Sequence, residues 1–230
     1  MDLVKLVYDC IETTKKDEKR LYIGASSIGH ACRRYIWYSM KGMRADGLIA
    51  KNYITFEIGK RLETMVLEYL EKAELNVERP NPNNQYLLFK DSDISIFRGH
   101  ADAILRFGYD NPVVLEVKTA KNSSFERFKS KGLLQWSEIY YAQLQSYMGM
   151  SDIKQGVLLA INKDNSELHC EWVNFDANYY AKLRDKAVSI ERSESAPEKI
   201  NQSPLYMLCN RCCFKSICHS GDKGNVGPCN

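Results

Sequence analysis

The stretch Gly99-His-Ala-Asp-Ala-Ile-Leu-Arg-Phe-Gly-Tyr-Asp-Asn-Pro-Val-Val-Leu-Glu-Val-Lys118 decides the fold. Residues 101–107 and 112–118 are rich in Val, Ile and Leu, as strands are, and Gly108-Tyr-Asp-Asn111 between them is turn chemistry. A β-hairpin is expected. Folding about Tyr109 and Asp110 sets Asp102 opposite Val117, within one position of Glu116. Side chains alternate along a strand, so Glu116 and Lys118 share one face while Leu115 and Val117 take the other. Two carboxylates and an ammonium then meet on a patch of an otherwise apolar hairpin. Mg2+ and Mn2+ take oxygen ligands of this kind and keep room for phosphate oxygens. Such an ion supplies hydroxide near neutral pH and stabilises charge on phosphorus, and Lys118 is placed to orient the water. Glu-x-Lys alone also suits a solvated hairpin face. The acid across the hairpin turns the reading toward a metal site.

Two flanking segments extend the pattern. Ile54-Thr-Phe-Glu-Ile-Gly-Lys-Arg-Leu-Glu-Thr-Met-Val-Leu-Glu-Tyr-Leu70 has Ile58, Leu62, Met65, Val66 and Leu70 at helical spacing and is expected to be amphipathic. Glu63 on it is either a third carboxylate for the site or a solvated glutamate like Glu57 and Glu71. Leu133-Leu-Gln-Trp-Ser-Glu-Ile-Tyr-Tyr-Ala-Gln-Leu-Gln-Ser-Tyr-Met148 is expected to be a second helix, with Gln143 and Tyr147 on one face. That pair suits a water or a phosphate beside the metal. Alternatively, Tyr140, Leu144 and Tyr147 are a buried stripe.

In order and spacing, Gly59-x3-Glu63, Asp102, Glu116-x-Lys118 and Gln143-x3-Tyr147 resemble the PD-(D/E)XK nucleases of the RecB and lambda-exonuclease type. The phrase Tyr141-Ala-Gln-Leu-Gln-Ser-Tyr-Met148 is particularly similar to the lambda-exonuclease branch. The resemblance implies an α/β, restriction-endonuclease-like core with a mixed central sheet flanked by helices. It also implies Mg2+- or Mn2+-dependent hydrolysis of DNA phosphodiesters, as an exonuclease or end-processing enzyme. By the same resemblance Asp102, Glu116, the Val117 carbonyl and Glu63 hold the metal. Lys118 positions water, and Gln143 and Tyr147 order the nucleophile or the strand. CRISPR-associated RecB-like nucleases usually carry His where this chain has Glu63, and Glu there belongs to the lambda-type branch. The expected partner is DNA, single-stranded or with free ends. A homo-oligomer, or a partner protein of recombination, CRISPR or replication, is compatible with it. The rival from another class is a non-catalytic DNA-binding scaffold that keeps the nuclease fold.

The second signal is cysteine. There are eight: Cys10, Cys32, Cys170, Cys209, Cys212, Cys213, Cys218 and Cys229. Residues 1–20 alternate apolar and charged side chains, unlike a signal peptide, and no apolar run is long enough for a membrane span. A cytoplasmic chain of bacterial, archaeal or phage origin is therefore expected, with reduced thiols that bind metal more readily than they pair. Cys209-Asn-Arg-Cys-Cys-Phe-Lys-Ser-Ile-Cys218 supplies three ligands, and a tetrahedral or cubane site wants four. Ala25-Ser-Ser-Ile-Gly-His-Ala-Cys-Arg-Arg-Tyr-Ile-Trp-Tyr38 is expected to be a helix capped by its serines, with Cys32 early in it. This start, with the terminal C-x2-C-x-aromatic-x3-C, resembles the iron–sulfur RecB-like nucleases. That resemblance implies a [4Fe-4S] cluster on Cys32, Cys209, Cys212 and Cys218. Zinc on the same thiolates, Cys213 or Cys229 in place of one of them, and His219 in place of Cys32 are alternatives. Cys10 and Cys170 suit ordinary apolar faces. The cluster would be structural, joining residues 201–230 to the nuclease domain of residues 1–200 as one unit.

With 230 residues at 44% hydrophobic, one domain is expected, and a net charge of +3 says nothing by itself about nucleic acid. Arg33-Arg34, Lys60-Arg61 and residues 118–131 are locally basic, and Phe125 and Phe128 in the last of these suit either base stacking or the core. Residues 2–15 are expected to form a short helix facing inward through Leu3, Leu6, Val7 and Cys10. Strands are expected at 85–90, 94–98, 155–162 and 168–175, a helix at 177–194, a loop at 81–84 and a linker at 195–204.

Overall fold

In a computed structural model the described residues are 1–14, 20–43, 45–47, 49–108 and 111–219. The turn residues Tyr109 and Asp110 and the alternative ligand Cys229 lie outside them. Helix α1 (Leu3–Thr14) is followed by strand β1 (Ile23–Gly24) and two short helices, α2 (Ala25–Ile28) and α3 (Arg33–Met40). The long helix α4 (Ala50–Lys72) leads to β2 (Asn76–Glu78), a 3-10 turn (Pro82–Leu87), β3 (Leu88–Lys90), β4 (Phe97–His100), β5 (Ala103–Arg106) and β6 (Pro112–Ala120). Then come α5 (Asn122–Trp136), α6 (Glu138–Ser151), β7 (Gln155–Asn162), β8 (Leu168–Asn174) and α7 (Ala177–Glu191). Two short helices, α8 (Met207–Asn210) and α9 (Lys215–His219), carry the terminal cysteines.

The hairpin forms as its residues require, with β5 antiparallel to β6. Its register differs by one position from the expected one. Ala103 faces Leu115 and Ile104 faces Val114, a register that continued by one residue would set position 102 opposite Glu116 rather than Val117. The helical crossover α5–α6 brings β7 back parallel to β6, and β8 returns antiparallel, giving a mixed sheet in the order β2-β5-β6-β7-β8. A smaller sheet, β1-β4-β3, lies beside it.

Alternation along β5 and β6 sorts the layers. Leu105, Leu115 and Val117 pack with Val66 and Leu67 of α4. Ile104 and Val114 point to the other face and pack with Phe125, Phe128, Leu144 and Tyr147 of α5 and α6. A third cluster, including Ile28, Ile36, Phe97 and Ile190, joins α2, α3 and α7 to the small sheet. Phe125 and Phe128 are fully buried, which settles them as core rather than base-stacking residues. Each contributes about 2–3 kcal/mol by leaving water.

Several expected elements are corrected. The segment 133–148 is not one helix: Ser137 is extended between α5 and α6, and its hydroxyl caps α6 by accepting from Tyr140 N–H. Ser26 and Ser27 lie inside α2 rather than capping it, and Cys32 is the N-cap residue of α3. The sequence 85–90 is strand only from Leu88. The strand expected at 94–98 begins at Phe97, because the Asp91 carboxylate draws the Asp93 and Ile94 N–H groups into a turn. Ile58 and Met65 of α4 are exposed, as are Leu3, Leu6, Val7 and Cys10 of α1 and Cys170 of β8, so neither helix buries the whole stripe its spacing suggested. No helix among the described residues is long and apolar enough to cross a membrane.

Candidate active site

Strand β5 pairs with β6 only as far as Ala103 and Leu115, whereas β6 runs on to Ala120. Its far half therefore presents an open edge on the β5 side. Asp102 closes part of that edge, its Oδ2 accepting the Val117 N–H at 2.8 Å. A strand residue's N–H and C=O leave by the same edge, so the Val117 carbonyl is directed along the same gap. On the α6 face, Glu116 is 1% exposed. Its Oε1 accepts from Lys118 Nζ and from Gln143 Nε2, the latter at 2.7 Å. The Gln143 amide also donates to Tyr147 Oη at 2.9 Å, and that hydroxyl donates to the His100 carbonyl at 2.5 Å. The i,i+4 pair on α6 thus serves both readings at once: Tyr147 is buried and also holds a site residue. Lys118 Nζ lies 5.2 Å from the centroid of the Tyr140 ring. Glu63, half-buried on α4 on the opposite face, reaches the same edge, where Asp102 and Lys118 act on its charge.

The charges do not balance. Burial first, then Asp102 and Glu63, push the Glu116 carboxyl up to about 8, although Lys118 opposes this. Burial and Asp102 push Glu63 up to about 7. Burial likewise raises Asp102, against Lys118 and the Val117 N–H. For Lys118, burial favours the neutral amine, but Glu116 and Asp102 outweigh it and raise its pKa. One ammonium therefore faces three crowded carboxyl groups.

That donor set fits a hard divalent cation. Glu116 Oε2 is buried and has no hydrogen-bond partner among the described residues, an arrangement that costs free energy unless a ligand completes it. Among the described residues, no three His, Cys, Asp or Glu side chains are gathered closely enough to ligate one ion as they stand. Glu116 is instead turned onto Lys118 and Gln143.

The cysteine segment meets the start of α3. Cys32, Cys209, Cys212 and Cys218 line one small cavity of about 20 Å³, together with His219. His219 Nε2 is buried there without a partner among the described residues. Cys213 is engaged elsewhere, its thiol donating to Cys212. That bond holds the Cys212 thiol down to about 6, against its burial and with help from the Phe214 N–H. All the described cysteines are free thiols. Phe214 packs edge-on against Tyr35 and tilted against Tyr38 of α3. Arg34 anchors the linker through the Pro197 and Ala196 carbonyls and points Nη1 at Cys218 Sγ, 3.9 Å away. In the sequence Arg34 registers as half of a basic pair and as part of the start that carries the iron–sulfur resemblance, with no sign of its contact to the linker. Tyr140 registers only as core, and the His100 carbonyl carries no signal at all.

No family model and no curated protein matches the chain. Solved structures match its fold. The alkaline exonuclease LHK-Exo from Laribacter hongkongensis aligns with a TM-score of 0.55 at 14% identity, over 75% of this chain and 87% of its own. Its complex with dAMP aligns with a TM-score of 0.56 at the same identity and coverage. The protein SSO0001 aligns with a TM-score of 0.55 at 18% identity, over 95% of this chain and 96% of that one. The mixed α/β architecture is thus one that an exonuclease uses.

Proposed function

We propose that the chain is a Mg2+- or Mn2+-dependent DNA exonuclease or end-processing nuclease. The observation that carries this reading is Glu116, buried with one unsatisfied oxygen between Asp102, Lys118 and Gln143, on a fold shared with an alkaline exonuclease. Asp102, Glu116, Glu63 and the Val117 carbonyl would hold the ion. When bound, it would acidify a water and offset charge developing on phosphorus. Lys118, kept charged by its carboxylate neighbours, would steady the attacking water and the phosphate. Gln143 fixes the Glu116 carboxylate, and Tyr147 fixes Gln143 to the end of β4, so Glu116 is anchored to the sheet and to α6 before any substrate arrives.

The four cysteines are proposed to hold a structural metal staple, with [4Fe-4S] the group the sequence resemblance implies. Zinc on the same four thiolates, which line one cavity, is the second reading. Reduced thiols of this kind suit a cytoplasmic protein. Colour and metal content of anaerobically purified protein separate the two.

The test of the activity is cleavage of end-labelled single- and double-stranded DNA with Mg2+ or Mn2+, wild type beside Lys118→Ala. Product ladders from one end, present in wild type and absent in the variant, are expected. Metal-dependent cleavage by neither would leave a DNA-binding scaffold of nuclease fold.

A further inference from the structure

The segment before β3 carries backbone strain that the proposed chemistry does not use. Gln85, Tyr86 and Leu87 lie at φ 52°, 59° and 49°, three consecutive non-glycine residues in the left-handed region. There Cβ crowds the following carbonyl, so Gly or Asn is the usual occupant. The turn is fixed at both ends. Asn81 Oδ1 accepts from the Asn83 and Asn84 N–H groups, and the Asn81 carbonyl accepts from Tyr86 N–H at 2.8 Å. Leu87 is buried at 4% exposure, and its carbonyl accepts from Ala101 N–H at 3.3 Å. The Tyr86 carbonyl accepts from His100 Nδ1 at 3.1 Å.

The strained turn is thereby tied to the two residues that immediately precede Asp102. From His100 the hydrogen bonds continue through Tyr147 and Gln143 to Glu116. With Leu87 buried, Tyr86 is left 54% exposed. Strain of this kind persists where the surroundings over-determine it, and such places cluster at functional sites. What it produces here is an exposed tyrosine whose backbone is fixed beside the strand that leads to Asp102.

We propose that Tyr86 is a base-stacking residue, taking an unpaired nucleobase of the strand whose phosphate occupies the Asp102–Glu116 site. The ligand class is a single-stranded or frayed nucleic-acid end. Stacking on tyrosine accepts any base, because every base has a π-face. The assignment rests on the nuclease reading and specifies the part of the substrate that this turn takes.

The experiment compares wild type, Tyr86→Phe and Tyr86→Asn. A single-stranded oligonucleotide carrying a fluorescent adenine analogue at its end is titrated with each protein in Ca2+. Cleavage of that oligonucleotide and of bis(p-nitrophenyl) phosphate is then measured in Mn2+. Tyr86→Phe should quench the fluorophore and bind as wild type does. Tyr86→Asn suits the left-handed backbone better, so its Tm should hold or rise. It should nevertheless lose the quenching, weaken Kd by roughly tenfold, the scale of one base–aromatic stack, and lose more kcat/KM on the oligonucleotide than on the small diester. Quenching and Kd in Tyr86→Asn equal to wild type would overturn the proposal. So would equal losses on both substrates, which would make the turn a support for Asp102. Wild type that quenches and binds but cleaves neither substrate would sink the nuclease reading and leave the stacking site standing.

Discussion

Asp102 accepts the Val117 backbone N–H at 2.8 Å, where the next ladder bond of the β5–β6 hairpin would otherwise fall. A carboxylate has taken the place of a strand. It ends the pairing and satisfies the Val117 N–H that the ending would orphan. The same arrangement brings Asp102 close enough to raise the proton affinity of Glu116, and also that of Glu63, which joins from the opposite face. A stable fold therefore carries a site of crowded carboxyl groups that favours bound protons or a cation.

Stability should fall as pH rises when no divalent cation is present. The folded-state pKa values of Glu116, about 8, and Glu63, about 7, lie above the ordinary carboxylate value. The native state then binds more protons than the unfolded chain, so stability present at low pH is lost as pH climbs through that range. Melting followed in EDTA from about pH 5 to pH 9 should show a declining Tm, flattened in Glu116→Gln and restored in wild type by Mn2+. A flat wild-type profile would refute the charge crowding.

Gly99→Ala should disturb the site from behind. A Cβ there would come within 2.8 Å of Ala25 Cβ and 2.9 Å of Tyr147 Cε1, neither of which has room to yield cheaply. Overpacking of this kind costs about 1–3 kcal/mol, and calorimetry should record a Tm several degrees lower. Because Tyr147 orders Gln143 and Glu116, kcat should fall as well. Full activity would show that the hydrogen-bonded chain is dispensable.

The opposite pH sign belongs to the Asp91–Arg184 pair. Burial alone would raise Asp91, but Arg184 and Tyr180 outweigh it and the net shift is downward. Arg184 Nε donates to Asp91 Oδ2 at 2.7 Å, and Tyr180 Oη donates to the same oxygen at 2.7 Å. The contribution is complete above the unfolded carboxyl value and is lost as pH falls below it. Arg184→Ala leaves Asp91 with Tyr180 and the Asp93 and Ile94 N–H groups and should cost about 1–3 kcal/mol at neutral pH. The deficit should shrink in acid, measured by urea unfolding at both pH values. A deficit independent of pH would assign the effect to packing.

Metal content should separate the cysteines. Cys209→Ser and Cys32→Ser should lose the bound metal and melt lower, whereas Cys213→Ser should keep it, because the Cys213 thiol is turned onto Cys212 rather than into the cavity. Metal analysis on the purified variants decides. Loss of metal in Cys213→Ser would exchange the ligand assignment.

What was legible in the sequence was local. Alternation in 112–118 places Glu116 and Lys118 on one face because the strand period is two, and Gln143 and Tyr147 share a face because the helix period is near four. The cysteine spacing at 209–218 likewise needs only neighbouring residues. Tertiary structure decided the rest. The hairpin register lies one position from the expected one, and Asp102 ends the ladder, which no propensity encodes. Glu63 joins the site around the edge of a sheet whose other face carries Glu116, and Cys32 meets Cys218 only after α3 packs under the terminal segment. Phe125 and Phe128 read equally well as surface or core until α5 lies on the sheet. The left-handed turn at 85–87 is invisible because Gln, Tyr and Leu have no preference for it: contacts from Asn81, His100 and Ala101 impose it. Periodicity reports which residues share a face, but the partner across that face is set by packing between segments distant in sequence.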